Sequence, residues 1–553
     1  MLRENNRNQT EKKTFLSGVL LLTVSTVLVK IVGLLYKIPM LSYLGSEGMG
    51  YFNSAYEIYA LFCVIATAGL PVALSVLISA SIAKGNSVEV RRIFRIALRI
   101  FLGIGITGTV LMAAFSGVFC NLIKSENARL CILSISPTVL TVCVSSALRG
   151  YFQGHQKMLQ TAVSQLIEAV GKLAFGLLFA KLALDAGRAT NEVAAAAGLG
   201  LTLGTFLSML YLIVEKLRFR VPASAKKKSA IELRTASDKH ILLSLSKLAI
   251  PVTVGASAVS LTKLIDMTMI LRRLQGIGYT AVLANEAYGN YTTLALSVYG
   301  LLPTLVNSIA LPLIPMLSAA IASGDRNRQE QLVASSYRLT ALFAIPAALG
   351  VSAFAKPILI LLFPGETEAV SAAAPLLSIL GASVFLSCMI TATNSVLHAY
   401  RSVNRPILSL LAGSAVKIVS AYFLIGNAQI GIIGAPISSL LCNATVVLLN
   451  LLFAARLCRV SSFAGIFFRP FLIAFASVGL AEAGYLFLSG RIGERSLLTL
   501  ACIGFTVLLY LTLTVFFGGL RDEDLSAIPF GSAFLRMKSR LIHRKLPLKG
   551  SLK

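Results

Sequence analysis

The stretch from 14 to 36 reads TFLSGVLLLTVSTVLVKIVGLLY, and its reading decides the fold class. A single charge, Lys30, interrupts an otherwise neutral and mostly apolar run. At about 1.5 Å per residue, a helix of that length reaches across a hydrocarbon core roughly 30 Å thick. Arg3, Arg7, Lys12 and Lys13 precede the run, as in a signal peptide. The run is too long for a signal core and ends without a small-residue cleavage pattern, so it predicts a retained first membrane helix.

Runs of this kind recur along the chain. Of its 553 residues 56% are apolar and 13% charged, with a mean hydropathy of +0.80. Soluble domains carry about 25% charged residues. In lipid every backbone N–H and C=O must be satisfied internally, which leaves helices or closed barrels. The runs are too long and too uniformly apolar for barrel strands. The expected fold is therefore an all-α integral membrane bundle of about fourteen transmembrane helices. They are placed near 14–36, 52–80, 94–118, 129–151, 160–183, 192–215, 243–271, 286–317, 331–354, 371–398, 406–426, 431–455, 466–489 and 495–518.

The net charge of +27 would point to nucleic acid in a soluble protein. Here the cations fall on one side of the helices. Lys84, Arg91, Arg92, Arg149, Lys157, Arg326, Arg328, Arg401, Arg405, Arg456, Arg459 and Arg469 all lie on the side shared with the N-terminus. The opposite loops are short and carry Glu47, Glu126, Asp185, Glu192, Glu366, Glu368 and Glu494. This is the positive-inside pattern, and it places both termini in the cytoplasm of a bacterial cell membrane. No nucleic-acid partner is implied.

One long polar linker, 216–240, follows the sixth helix and is strongly basic. The flanking halves repeat weakly. Ser81-Ile82-Ala83-Lys84-Gly85-Asn86 and Arg99 match Ala320-Ile321-Ala322-Ser323-Gly324-Asp325 and Arg338 at an offset of 239. Leu148 and Tyr151 match Leu397 and Tyr400 at 249, an offset that also pairs Glu168 with Lys417. The organisation expected is an N-lobe of six helices (1–215), the linker (216–240), a C-lobe of six (241–456), two further helices (457–520) and a basic tail (521–553). In that tail Phe534, Leu535, Met537, Leu541 and Ile542 share a face opposite Arg536, Lys538, Arg540 and Arg544, which suits a helix lying on anionic lipid or a solvated basic tail.

Ionisable groups within the apolar runs carry the functional information, because each opposes insertion by about 2.5–3.5 kcal/mol at a helix centre. They are Lys30, Glu57, Glu168, Lys172, Lys263, Asp266 and Lys417. Such a set is expected to face a wet cavity or to pair internally: Lys263 with Asp266 at i,i+3, Glu168 with Lys172 at i,i+4, or Glu168 with Lys417 between lobes. A net-positive cavity suits an anionic cargo such as a lipid-linked phosphate or pyrophosphate. Pro71 and Pro303 lie inside the second and eighth helices, where each favours a kink.

The eight cysteines stand singly and the four histidines are scattered, so no metal site or cofactor is expected. There is no G-x-x-x-x-G-K-[ST] phosphate loop and no nucleophile elbow. A transporter, not an enzyme, is the expectation.

Arg149-Gly150-Tyr151-Phe152-Gln153-Gly154-His155-Gln156-Lys157-Met158, with Thr161–Gln165 and Glu168 beyond it, resembles the loop after helix four in the stage V sporulation protein B group. Ala310–Ser318 and Asp524–Pro529 resemble the same group. It belongs to the multidrug/oligosaccharidyl-lipid/polysaccharide exporter superfamily, alongside the lipid II flippases, and the resemblance spans the whole chain. In that loop motif Arg149, Gly150, Gln153 and Gly154 are the candidate residues. The resemblance implies a monomeric flippase that moves an undecaprenyl-diphosphate-linked saccharide or peptidoglycan precursor to the outer leaflet. It also implies a central cavity lined by cations on helices 1, 2 and 8, with membrane potential or an H+ or Na+ gradient as driving force. Lys30, in Lys30-Ile31-Val32-Gly33, stands where the lipid II branch carries Arg, and Tyr288-Gly289-Asn290-Tyr291 lacks that branch's helix-8 arginine. These departures favour the sporulation-type or polysaccharide branch. A cation-coupled multidrug antiporter of the same superfamily is the alternative, and Glu57, Glu168 and Asp266 are the residues that would serve it.

Overall fold

A computed structural model describes residues 2–219, 237–310, 313–402, 404–458, 463–489 and 495–516. The basic tail and most of the linker lie outside these residues. All regular structure among the described residues is helical. In chain order the α-helices are α1 (Leu2–Thr67), α2 (Gly69–Ala83), α3 (Ser87–Ala114), α4 (Ser116–Ile123), α5 (Arg129–Ile135), α6 (Thr138–Gly154), α7 (Met158–Asp185), α8 (Thr190–Arg218), α9 (Asp238–Gly276) and α10 (Ala281–Asn290). They continue as α11 (Leu296–Ala310), α12 (Leu313–Ala322), α13 (Arg326–Ala353), α14 (Ala355–Leu362), α15 (Thr367–Ala399), α16 (Asn404–Ile425), α17 (Gly434–Ala455), α18 (Phe463–Ser489) and α19 (Arg495–Phe516).

Eleven spans among the described residues are long and apolar enough to cross a membrane. The first, Val24–Ala83, takes in both of the first two expected helices. They are separated by a break at Gly45 (φ 66°, ψ 176°), so the first helix continues well beyond Tyr36, where the apolar run suggested it stopped. Helix α7 is not among these eleven.

The repeat at offset 239 is matched element for element in one region. Helices α3 and α13 are both 28 residues long and α4 and α14 both 8, with each pair displaced by that offset. The turns ahead of them match too. Gly85 and Gly324 have positive φ (73° and 72°), then Asn86 caps α3 through Glu89 N (3.0 Å) and Asp325 caps α13 through Arg328 N (3.0 Å). An Asx side chain at that position satisfies one of the N–H groups a helix start leaves open.

The second repeat register needs correction. Gln156 and Arg401 both have positive φ (58° and 56°), and the hydrogen bonds Lys157 N to Phe152 O and Ser402 N to Leu397 O close equivalent turns. These equivalences fall at offset 245, four residues from the 249 suggested by side-chain identities. Four residues is one helical turn, so a shift of that size leaves an apolar pattern nearly unchanged. At 245 the partner of Lys417 is Lys172, not Glu168.

The chain divides into two compact units, Met1–Thr293 with Ala421–Gly434, and Leu294–Ser420 with Ala435–Lys553. In the first, α7 packs along α8 more extensively than any other pair of helices, and α1 packs on α7 and α10. Glycine makes the α7–α8 approach possible: a Cβ on Gly171 would stand 2.7 Å from Gly204 Cα, and one on Gly200 would strike Gly176. In the second unit, Ala341, Leu342 and Ile345 of α13 meet Ile473 and Ala474 of α18, and Tyr510 Oη donates to Leu342 O (2.8 Å). All eight cysteines are buried and unbridged, as small apolar residues.

Candidate functional site

Arg149 organises the polar interior of the first unit. Of the motif, Arg149–Gly154 complete α6, His155–Lys157 form the turn, and Met158 opens α7. Gly150 and Gly154 let the end of α6 lie against Pro71 and Ile78 of α2, and Ser79 Oγ donates to Gly154 O (2.8 Å). Gln153 is half-buried there. Arg149 thus extends into the helix packing. Its Nη2 donates to Glu168 Oε2 (2.7 Å) and Ser208 Oγ (3.2 Å), and its Nε to Ser164 Oγ (2.9 Å). Ser208 Oγ in turn donates to Ser164 O (2.8 Å).

The pairings expected for Glu168, with Lys172 or Lys417, are therefore replaced by Arg149. A planar guanidinium supplies several donors in fixed directions, which suits a carboxylate flanked by two serines. Lys172, one turn along α7, lies over aromatic faces: its Nζ is 4.6 Å from the Tyr56 ring centroid, 5.3 Å from Tyr36 and 5.8 Å from Phe52. Each ring face attracts a cation by about 0.5–2 kcal/mol without neutralising it.

Lys37 was not picked out from the sequence, because the apolar run ends one residue before it. The continuation of the first helix to Gly45 carries it inward, where Nζ donates to Thr292 O (3.2 Å) and its charge is within range of Lys172 and Glu57. Thr292 belongs to a π-helical turn, Tyr291–Ala295, between α10 and α11. Asn53 Nδ2 also holds that turn, through Thr292 Oγ1 and Thr293 Oγ1 (both 2.8 Å). The irregularity of the eighth expected helix thus falls at this π turn, and Pro303 lies further on within the continuous α11. Pro71 occupies the first turn of α2, just past the break at Ala68.

Where α1 crosses α10 the backbones nearly touch. A Cβ on Gly50 would strike the Asn285 carbonyl, and one on Gly289 would strike that of Ser46. The offset of 239 exchanges these contacts, since it carries Ser46 to Asn285 and Gly50 to Gly289. The same offset relates Asn53 to Thr292. The crossing is a local two-fold meeting of equivalent segments.

The remaining candidates fall as follows. Lys30 on α1 and Lys263 on α9 are exposed, and close enough for their charges to repel. Glu57 and Asp266 are half-buried and both near Tyr288. Lys417 lies on α16 in the second unit. Of the candidates in the first unit, with Lys37 added, five are cations (Lys30, Lys37, Arg149, Lys172, Lys263) and three are acids (Glu57, Glu168, Asp266), and one acid is already engaged by Arg149. Among the described residues no group of three His, Cys, Asp or Glu converges to hold a metal.

A bundle of apolar helices carrying a cationic, aromatic-lined cluster defines a membrane transport protein. Residues 15–321 match the model of the polysaccharide biosynthesis protein family, and residues 291–423 match the MatE model. The chain belongs to the polysaccharide biosynthesis protein family. It is 24% identical over 526 residues to stage V sporulation protein B of Bacillus subtilis (strain 168), covering 94% of this chain and 98% of that protein. It is also 24% identical to the lipid II flippase MurJ of the same organism over 415 residues, 73% of this chain and 76% of that one. Among solved structures the fold is similar to one of lipid II flippase MurJ, itself in an inward closed conformation, with a TM-score of 0.68 at 16% identity over 90% of this chain and 98% of that one.

Proposed function

We propose that this protein is a flippase, not an enzyme, that moves an undecaprenyl-diphosphate-linked saccharide or peptidoglycan precursor from the inner to the outer leaflet of the bacterial cell membrane by alternating access. It works as a monomer with both termini in the cytoplasm, and the two six-helix lobes read from the sequence are its moving parts. The observation that carries the reading is the excess of cations among the candidates, with Lys172 held over the rings of Tyr56, Tyr36 and Phe52 and Lys37 donating to Thr292 O. An ammonium held by ring faces and a carbonyl keeps its positive charge available, and a diphosphate offers it stronger partners. Lys30 and Lys263 extend the positive charge, and Glu57 and Asp266 limit it. Arg149 and Glu168 brace the wall, and Lys417 is the counterpart of Lys172 in the second repeat. The similarity to a sporulation protein and to a lipid II flippase supports this cargo class.

Moving about two negative charges outward through roughly 150 mV, inside negative, releases about 7 kcal/mol, enough to drive the step without ATP. An H+ or Na+ gradient is the other drive. The second reading, a cation-coupled multidrug antiporter, draws on the MatE match and on the acids Glu57 and Asp266.

The test is leaflet translocation of fluorescent undecaprenyl-diphosphate saccharides in proteoliposomes under an imposed potential. Potential-dependent movement that falls at least tenfold in Lys172→Ala and Lys37→Ala is expected. Ion-driven efflux of organic cations, with no movement of any lipid-linked headgroup, would replace the flippase by the antiporter.

A further inference from the structure

The outer surface of the first unit carries an amphipathic groove that the proposed transport site does not use. Helix α6 forms its floor through Leu140 and Val144, α3 one wall through Leu102, and α8 the other through Leu203, Phe206 and Met209. Its volume is about 700 Å³, within the range of sites that take a ligand of several hundred daltons. Thr141 and Thr202 also line it, but their hydroxyls donate to Thr138 O and Ser134 O (both 2.9 Å), so the groove presents carbon.

One end of this groove is strongly basic. Arg91, Arg95 and Arg99 are all exposed and follow one another at intervals of four along α3. At 100° per residue, Arg91 and Arg95 lie within about 20° of the azimuth of Leu102 and Arg99 within about 60°, so the arginines stand over the groove's wall. Arg92, on the adjacent face, is tied to Asp238, whereas Arg95 and Arg99 meet no carboxylate among the described residues. Lys216 on α8 adds a fourth cation across the same end, its Nζ 3.6 Å from the Phe94 ring centroid. Glu215 is its neighbour on α8. Beyond Leu102 the α3 face continues as Ile106 (54% exposed) and Val110 (58%), a surface that only acyl chains would cover in a membrane.

Arg99 sits about 18 Å along the axis from Ser87 and about 8 Å beyond residue 94, where the third expected span begins. A guanidinium at that depth costs free energy unless it reaches a phosphate or water. We propose that the α3–α6–α8 groove binds an anionic glycerophospholipid, with its phosphate on Arg91, Arg95 and Arg99 and an acyl chain lying against Leu102, Leu140 and Phe206. Arginine donates to two phosphate oxygens at once, which favours this headgroup over a zwitterion whose own ammonium is repelled by Lys216. This site stands apart from the transport cluster and does not depend on the flippase reading.

The test is native mass spectrometry of the purified full chain titrated with phosphatidylglycerol or phosphatidylcholine, with thermal unfolding measured alongside. Retention of phosphatidylglycerol at least tenfold above phosphatidylcholine is expected, with a higher unfolding temperature. Arg91→Gln/Arg95→Gln/Arg99→Gln should abolish the preference, and the all-lysine triple variant should keep part of it. Leu203→Trp, which fills the groove and leaves the arginines in place, should lower retention of both lipids. Equal retention of the two lipids by the wild type, or an unchanged preference in the glutamine variant, overturns the proposal. Displacement of phosphatidylglycerol by equimolar undecaprenyl diphosphate overturns it as well, by assigning the groove to the substrate lipid.

Discussion

Replacing Arg149 by Met should destabilise the protein far more than replacing both members of its ion pair. Arg149 donates three hydrogen bonds, to Glu168, Ser164 and Ser208, and the two charged side chains are only 15% and 28% exposed. Arg149→Met leaves the Glu168 carboxylate without its cation in a poorly solvated position. Losing one partner of a buried pair costs about 3–5 kcal/mol. Glu168→Leu strands the guanidinium, which retains its two serine acceptors, so about 2–3 kcal/mol is expected. The double variant, with no charge left to solvate, should cost only about 1–2 kcal/mol. The coupling between the sites is then about 3–7 kcal/mol, well beyond the additivity seen for independent positions. Equilibrium unfolding of the four proteins in mixed micelles measures the cycle. Single-variant costs that simply add would refute the pairing. If Arg149 and Glu168 are a brace, the double variant should also keep at least a third of wild-type translocation. Loss of transport in a stably folded double variant would instead place Glu168 on the cargo path.

Tyr56→Leu removes the ring nearest to Lys172 and should weaken cargo binding three- to tenfold while Tyr56→Phe changes little, as read from the substrate dependence of translocation. Gly50→Ala or Gly289→Ala forces apart the α1–α10 crossing at about 1–3 kcal/mol, and a cysteine placed at Ser46 should then react faster with a membrane-impermeant thiol reagent. An unchanged labelling rate would mean that the two segments do not separate. His155, at the end of α6, bonds through Nδ1 to Tyr151 O (2.9 Å), yet burial among Tyr151 and Phe219 depresses its pKa below the usual 6.5. The unfolded chain therefore binds a proton that the folded one resists. The stabilising contribution is complete above about pH 6.5 and is lost as pH falls through the folded value, and His155→Phe should flatten that limb of the stability–pH curve.

Hydropathy alone determined that this chain is a helical membrane protein, because the bilayer imposes its cost on each segment locally. The arginine–glycine motif brought out by the family resemblance is also where Arg149 lies. What each charge does was decided by tertiary structure. The Arg149–Glu168 bond depends on how α6 is rotated against α7, with a separation in sequence of 19 that no helical spacing rule reaches. The position of Lys37 depended on the helix continuing to Gly45, past the end of the apolar run. The repeat register between Lys172 and Lys417 was ambiguous by a full turn in sequence, since one turn returns the same face, and the positive-φ residues Gln156 and Arg401 settled it at 245. The glycines at 50 and 289 are two among 42, and only the crossing of α1 on α10 marks them as the positions where two backbones meet. A sequence records which groups must escape lipid. Which partner each one finds depends on the rotation and crossing of helices far apart in the chain, which is a property of the packed bundle.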